Sequence, residues 1–256
     1  TFQIGSAHKI AAMTGIKVVT NFRNLDMALE GQGAPLAPLI HQKLFESKDK
    51  NTAVINLGGI ANISFIGKDF KNVIGYDVGP ANCLIDEWVR IHKQRPYDKD
   101  GTWARQGQLN QKLLDLMISD KYFKKSAPKS TGREYFNLNW FENFKEQFRL
   151  TSTTDIQTTL THLIAASIHK EVKDKSIDQI ILMGGGSNNS YIKELIEYYT
   201  GINTRVSDDY GYDSNWVEAI LFAYLAFKRV NNEKLNLSTF TGSTKDLLVG
   251  DIIVVR

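Results

Sequence analysis

Residues 53–67, "AVINLGGIANISFIG", decide the fold. The stretch opens as an aliphatic, β-branched run and stops at Gly58 and Gly59. It resumes with Asn62, Ile63, Ser64 and Phe65 alternating polar and apolar. Two strands meeting at a tight glycine turn account for that order. A third run, "NVIGYDVG" at 72–79, follows with no room for a helix between, so the three predict an antiparallel meander. A separate run, "IILMGGGSNN" at 180–189, also ends in glycines and then asparagine. Amides freed at a strand end can point at an anion, and glycine lets a phosphate approach without a Cβ in the way. Gly58, Gly59, Gly184, Gly185 and Gly186 are therefore candidates for contact with a nucleotide. The competing account is that strands simply end in tight turns at glycine, and the residues alone leave both open. Neither cluster matches GxxxxGK[ST] or GxGxxG, which argues against a P-loop NTPase and a Rossmann dehydrogenase.

Working outward, a helix is expected over 6–14 with Gly15 closing it, then a buried strand over 16–22. Gly31, Gly33, Pro35 and Pro38 are expected to keep 23–38 irregular. Helices are predicted over 82–93, 109–118, 155–172, 189–200 and 216–228, and strands over 179–183 and 203–207. The 216–228 helix is nearly all apolar and should lie inside. The tail from residue 236 carries no clear pattern. Strand and helix patterns alternate around one meander, which gives an α/β fold.

The totals fit a globular enzyme or binding protein. The chain has 256 residues, 42% hydrophobic and 23% charged, with a net charge of +3. No Lys/Arg block stands out, so nucleic acid is not a leading partner. No run approaches the ~20 apolar residues that span a bilayer, and the first ten residues are not a signal peptide. The single cysteine, Cys83, excludes an internal disulfide and fits a reducing, cytoplasmic compartment.

Asp77 ends a strand between Gly75 and Gly79, where a rigid backbone can hold a general base beside space for a ligand; a turn aspartate bonding its own backbone is the alternative. Glu218 is the one charge in "VEAILFAYLAF" (217–227) and needs a partner or a task, although its spacing from Asn215 also suits a capping box. Arg23 and Asp26 follow a strand, where a guanidinium can hold a carboxylate or phosphate or merely form a surface ion pair. "PKSTGRE" (128–134) reads equally as an anion site or a polar helix-start loop. The five histidines show no metal spacing and read as structural, and no GxSxG marks a serine hydrolase.

In order along the chain, "NFRNLDMALEGQGAPLAPLIH", "VINLGGIANISFI", "GYDVGPANCLID", "PYDKDGTWARQG", "APKSTGREYFN", "DIQTTLTHLIA", "ILMGGGSNNSYI", "VEAILFAYLA" and "NLSTFTGS" resemble the successive blocks of the anhydro-N-acetylmuramic acid kinases. That resemblance implies the sugar kinase, heat-shock ATPase and actin superfamily, with its ribonuclease-H-like ATPase fold. Residues 1–50 would be the remainder of a first domain with a sugar-site loop. Residues 51–256 would form the second domain, with the nucleotide-binding loops. Gly58, Gly59 and Asn62 would serve the second phosphate turn, and Gly184, Gly185, Gly186 and Asn189 the adenosine side. The implied reaction opens the ring of 1,6-anhydro-N-acetylmuramic acid with water and phosphorylates the freed 6-oxygen from ATP with Mg²⁺, in cell-wall recycling. Asp77 matches the base, Arg23 a sugar-binding arginine, and Glu218 a sugar-site carboxylate. A homodimer is in keeping with that superfamily.

Two departures carry expectations of their own. The family pattern Asp-Thr-Gly-Pro-Gly-Asn reads Asp77-Val78-Gly79-Pro80-Ala81-Asn82 here, which should tune the site. The family's opening Gly-Thr-Ser-x-Asp-Gly hairpin is absent from these residues, so the chain alone is expected to phosphorylate poorly. The competing readings are another carbohydrate kinase of the superfamily, without ring opening, and a non-catalytic nucleotide-binding module.

Overall fold

The structure, a computed structural model, describes residues 4–255. The glycine-bounded runs form β2 (Asn51–Leu57), β3 (Ile60–Gly67) and β4 (Ile74–Pro80), antiparallel to one another as their spacing predicts. β5 (Gln179–Met183) adds to β2 in parallel and β6 (Thr204–Val206) adds to β5 in parallel. The order β4-β3-β2-β5-β6 is the ribonuclease-H-like arrangement of three antiparallel and two parallel strands. A separate ribbon pairs β1 (Val18–Thr20) with β7 (Asp251–Ile253).

The helices are α1 (Ala7–Thr14), α2 (Asn24–Ala28), α3 (Pro38–Phe45), α4 (Asn82–Lys93), α5 (Gln111–Ile118), α6 (Leu138–Glu142), α7 (Lys145–Phe148), α8 (Thr153–Val172), α9 (Ser190–Thr200) and α10 (Val217–Val230). Several have the ends that their sequences specify. Ser6 caps α1 and Gly15 closes it at φ 69°; Ser152 caps α8; Asn189 caps α9, and Gly201 closes it at φ 69°. No helix among the described residues is long and apolar enough to cross a membrane.

Pleating divides the sheet between two cores. Ala53, Ile55, Ile63, Phe65 and Val78 face α4, α5, α8 and α9. Val54, Ile66, Ile181 and Met183 face α3, α10 and the tail. Residues before 50 and after 216 share that second core.

Several expectations are corrected. The 16–22 strand is short, half-buried and outside the main sheet, because among the described residues it pairs with β7 alone. The 23–38 segment holds α2, and Pro38 starts α3 rather than preventing it, since proline's missing N–H costs nothing at a helix start. α10 is not interior: only Val217, Leu221 and Leu225 are buried, while Phe227 is 59% exposed. The tail is not patternless: Leu235, Leu237, Phe240, Leu247 and Val249 are buried, and Leu235 bridges to Leu247.

Candidate active site

The same pleating that buries Ile55 and Ile63 turns Asn56, Asn62 and Asp77 to the opposite face. Register sets Asn56 opposite Asn62, and Asn62 opposite Asp77. This polar row lies at the end of the sheet where α10 and the 34–37 loop cover it. Together they enclose a cavity of about 380 Å³ that also reaches Arg23, Gly58, Gly184, Gly185 and Glu218.

Asp77 is 7% exposed and held on all sides. Its N–H donates to the Lys129 carbonyl at 3.1 Å, and its carbonyl accepts from the Tyr122 hydroxyl at 2.7 Å. Oδ2 accepts from Ser130 Oγ at 2.9 Å and from the Thr131 N–H at 3.0 Å, whereas Oδ1 has no hydrogen bond among the described residues. Burial pushes the carboxyl above its ordinary range; the two donors and the Arg23 guanidinium pull back, and Glu134 adds to the rise. A carboxylate with one oxygen anchored and the other unclaimed suits proton abstraction.

The 128–134 loop is therefore part of this site. Ser130 and Thr131 clamp the aspartate. Lys129, 4% exposed, pairs with Glu171 at 2.8 Å, whose other oxygen accepts from the Tyr76 hydroxyl at 2.8 Å. Arg133 lies over Gly59, with its nitrogens 2.7 Å from where a Cβ would stand.

The other candidates divide. Arg23 Nη1 donates to the Gly33 carbonyl at 3.2 Å, while its buried Nε has no hydrogen-bond partner among the described residues. Asp26 forms no surface ion pair. It is fully buried, and it takes the Gly33 N–H at 2.7 Å and the Thr241 hydroxyl at 2.7 Å, tying the 31–33 turn to the tail. Glu218 reaches the cavity but is exposed, and the expected capping box is absent. Asn215 turns instead to Asp213, and α10 starts without a side-chain cap. Val78 and Ala81 are buried in the first core and line neither this cavity nor the one that adjoins it.

A second cavity of about 580 Å³ is lined by Gly185, Gly186, Asn189, Asn82, Asp86 and Asp98. Gly185 belongs to both, so the two spaces adjoin there. A Cβ on Gly185 would meet nothing within 4 Å, leaving its backbone open, while Gly184 at φ 77° has its free side filled by the Asn56 amide. Gly58 opens on the first cavity, and among the described residues its N–H and that of Gly59 donate to no backbone carbonyl. Gly59 lines neither cavity: its carbonyl accepts from Ala81 and Cys83, and its outer side is covered by Arg133. Asn189 spends its side-chain oxygen on the Tyr191 and Ile192 N–H groups. Asp86, partly desolvated, is pushed up to about 6.

Sequence reasoning missed Asn56, took His41 as structural, and left Ser130 open within the 128–134 stretch without linking it to Asp77. For Asn56 the signal was present, a lone amide in an aliphatic strand. His41 and Ser130 reach the cavity and Asp77 only through tertiary packing.

The family described as anhydro-N-acetylmuramic acid kinase matches this chain over residues 1–255. A protein of that name from Sulfurovum sp. is 41% identical over 99% of this chain and 69% of its own length. Another from Legionella pneumophila is 40% identical over 98% of this chain and 69% of its own. Among solved structures, the activator of 2-hydroxyisocaproyl-CoA dehydratase from Clostridium difficile, with bound ADPNP, aligns with 78% of this chain and 69% of its own, at 16% identity and a TM-score of 0.44. The chain belongs to the anhydro-N-acetylmuramic acid kinase family.

Proposed function

We propose that the protein phosphorylates 1,6-anhydro-N-acetylmuramic acid from ATP while water opens the anhydro bridge, giving N-acetylmuramic acid 6-phosphate. The observation that carries this is Asp77: buried, raised in pKa, and bonded at one oxygen only, in a cavity that adjoins a glycine-lined one.

The first cavity would hold the sugar. Asp77 takes a proton from a water, whose oxygen forms the bond to the anomeric carbon as the bridge C1–O6 bond breaks. Arg23 faces this space with an unsatisfied Nε and would hold the lactyl carboxylate. Glu218, on the rim, would orient the incoming sugar or water.

The second cavity would hold the nucleotide, with the open backbone of Gly185 at the junction and Gly186 beyond it. The N–H of Gly58, in the turn between β2 and β3 and open on the first cavity, would serve the phosphates, with Arg133 over Gly59 beside it. No three carboxylate, imidazole or thiol groups converge among the described residues, so Mg²⁺ would ride on the phosphates with few protein oxygens, its habit in kinase sites. Bound MgATP supplies the phosphoryl group that the freed 6-oxygen accepts.

ADP release by the full-length protein tests this reading. It should require the anhydro sugar and vanish in Asp77→Asn, and N-acetylglucosamine should not replace the anhydro sugar. Equal turnover of ordinary reducing sugars would favour a simple carbohydrate kinase.

A further inference from the structure

His41 is fully buried among apolar residues of the second core, yet it lines the sugar-side cavity. Its Nδ1 lies 2.8 Å from Ser64 Oγ, and its Nε2 is buried with no hydrogen-bond partner among the described residues. Two other residues that line the same cavity each hold a buried polar atom without a hydrogen-bond partner among the described residues, Arg23 Nε and Asn62 Oδ1. A buried polar atom without a partner costs free energy, and three around one space point to a ligand that supplies what the protein does not.

The Ser64–His41 bond assigns the imidazole's protons. Ser64 is fully buried, and its hydroxyl has no other acceptor among the described residues. The hydroxyl hydrogen therefore goes to Nδ1, which must be bare, and the ring's one hydrogen sits on Nε2. Burial holds the ring neutral, with its pKa lowered to about 3. The cavity wall thus offers an uncharged N–H donor. It donates to a neutral carbonyl or hydroxyl oxygen and adds no charge attraction for an anion.

Position narrows the acceptor. Ser64 follows Asn62 by two residues on β3, so His41 stands about 7 Å, one pleat repeat, behind the row that holds Asp77. A sugar with its anomeric carbon at Asp77 carries its 2-substituent on the neighbouring carbon. Pro35, Leu36 and Ile40 give the same wall an apolar surface suited to a methyl group. A neutral donor beside apolar side chains matches an acetamido group.

We propose that His41, protonated on Nε2 and fixed by Ser64, donates to the acetamido carbonyl of the sugar and sets selectivity for 2-acetamido substrates. This rests on the sugar kinase reading above. The test compares kcat/KM of the full-length protein on 1,6-anhydro-N-acetylmuramic acid and on its 2-hydroxy analogue. Wild type should prefer the acetamido sugar by roughly ten- to a hundredfold. His41→Phe should cut that ratio to less than about threefold, and Ser64→Ala, which frees the tautomer, should give an intermediate ratio. An unchanged ratio in His41→Phe would overturn the inference and leave the kinase reading intact. If His41→Phe fails to fold, ¹⁵N NMR of the wild-type imidazole decides. An Nε2–H tautomer whose resonance moves with the acetamido sugar supports the assignment; an Nδ1–H tautomer, or an unmoved resonance, overturns it. No turnover of either sugar by wild type would sink the kinase reading and this inference together.

Discussion

At the scale of single residues, Asp77 is where chemistry and stability are most separable. Asparagine keeps its shape and can still accept from Ser130 and Thr131 through its side-chain oxygen. Asp77→Asn should therefore leave thermal stability near wild type while removing about 10²- to 10⁴-fold of turnover, read by steady-state kinetics. Burial is the largest influence on this carboxyl and raises its pKa, so the acid limb of kcat/KM should lie above the ordinary carboxylate range. Ser130 donates to the ionised form and lowers that pKa. Ser130→Ala should shift the limb to higher pH, and an unmoved limb would mean another group sets it. His41 bears on stability with the sign expected of a lowered pKa. Its value falls from 6.5 to about 3 on folding, so the unfolded chain takes up a proton that the folded chain refuses. That stability is complete above pH 6.5 and is lost as pH falls, by about 2 kcal/mol at pH 5. Urea unfolding at pH 7.5 and pH 5 should show this difference, and His41→Phe should reduce it.

At the scale of elements, the glycines separate by what surrounds them. Gly184→Ala should destabilise the protein, because φ 77° disfavours a side chain and the Asn56 amide already fills the space. Gly185→Val should fold normally, with no atom within 4 Å of the first added carbon, yet weaken nucleotide binding by closing the junction of the cavities. Calorimetric unfolding and ATP titration would read the two effects independently. The Lys129–Glu171 pair anchors the 128–134 loop behind Asp77 in near-complete burial. Lys129→Met should cost roughly 3–5 kcal/mol, measured by chemical denaturation, because it strands a buried carboxylate. The meander, the capped helices and the glycine turns were legible in the sequence because pleat alternation and caps are local rules. β1 was misread as buried because its apolar residues do not reveal that among the described residues it pairs with β7 alone, some 230 residues away in sequence. α10 was misread because an all-apolar run does not say how many of its faces find a neighbour.

At the scale of the whole molecule, the sheet's two faces have different work. One carries the α4–α8 core, and the other turns Asn56, Asn62 and Asp77 toward a cavity roofed by α3 and α10. The strand ends that expose glycine backbone adjoin that cavity, so a sugar and a nucleotide could meet at Gly185. Asp77 and the two glycine clusters were identifiable before folding because strand-end position is written in the local pattern. The clamp of Ser130 and Thr131 and the placement of His41 were not, since each depends on contacts between residues 23 to 54 positions apart. The central claim is that one site opens the anhydro ring and phosphorylates the product. Mass spectrometry of the product from 1,6-anhydro-N-acetylmuramic acid, MgATP and the full-length protein tests it most directly. The account predicts a product heavier by one HPO₃ and one water, and none from Asp77→Asn. A product heavier by HPO₃ alone, or one made equally by the variant, would contradict it.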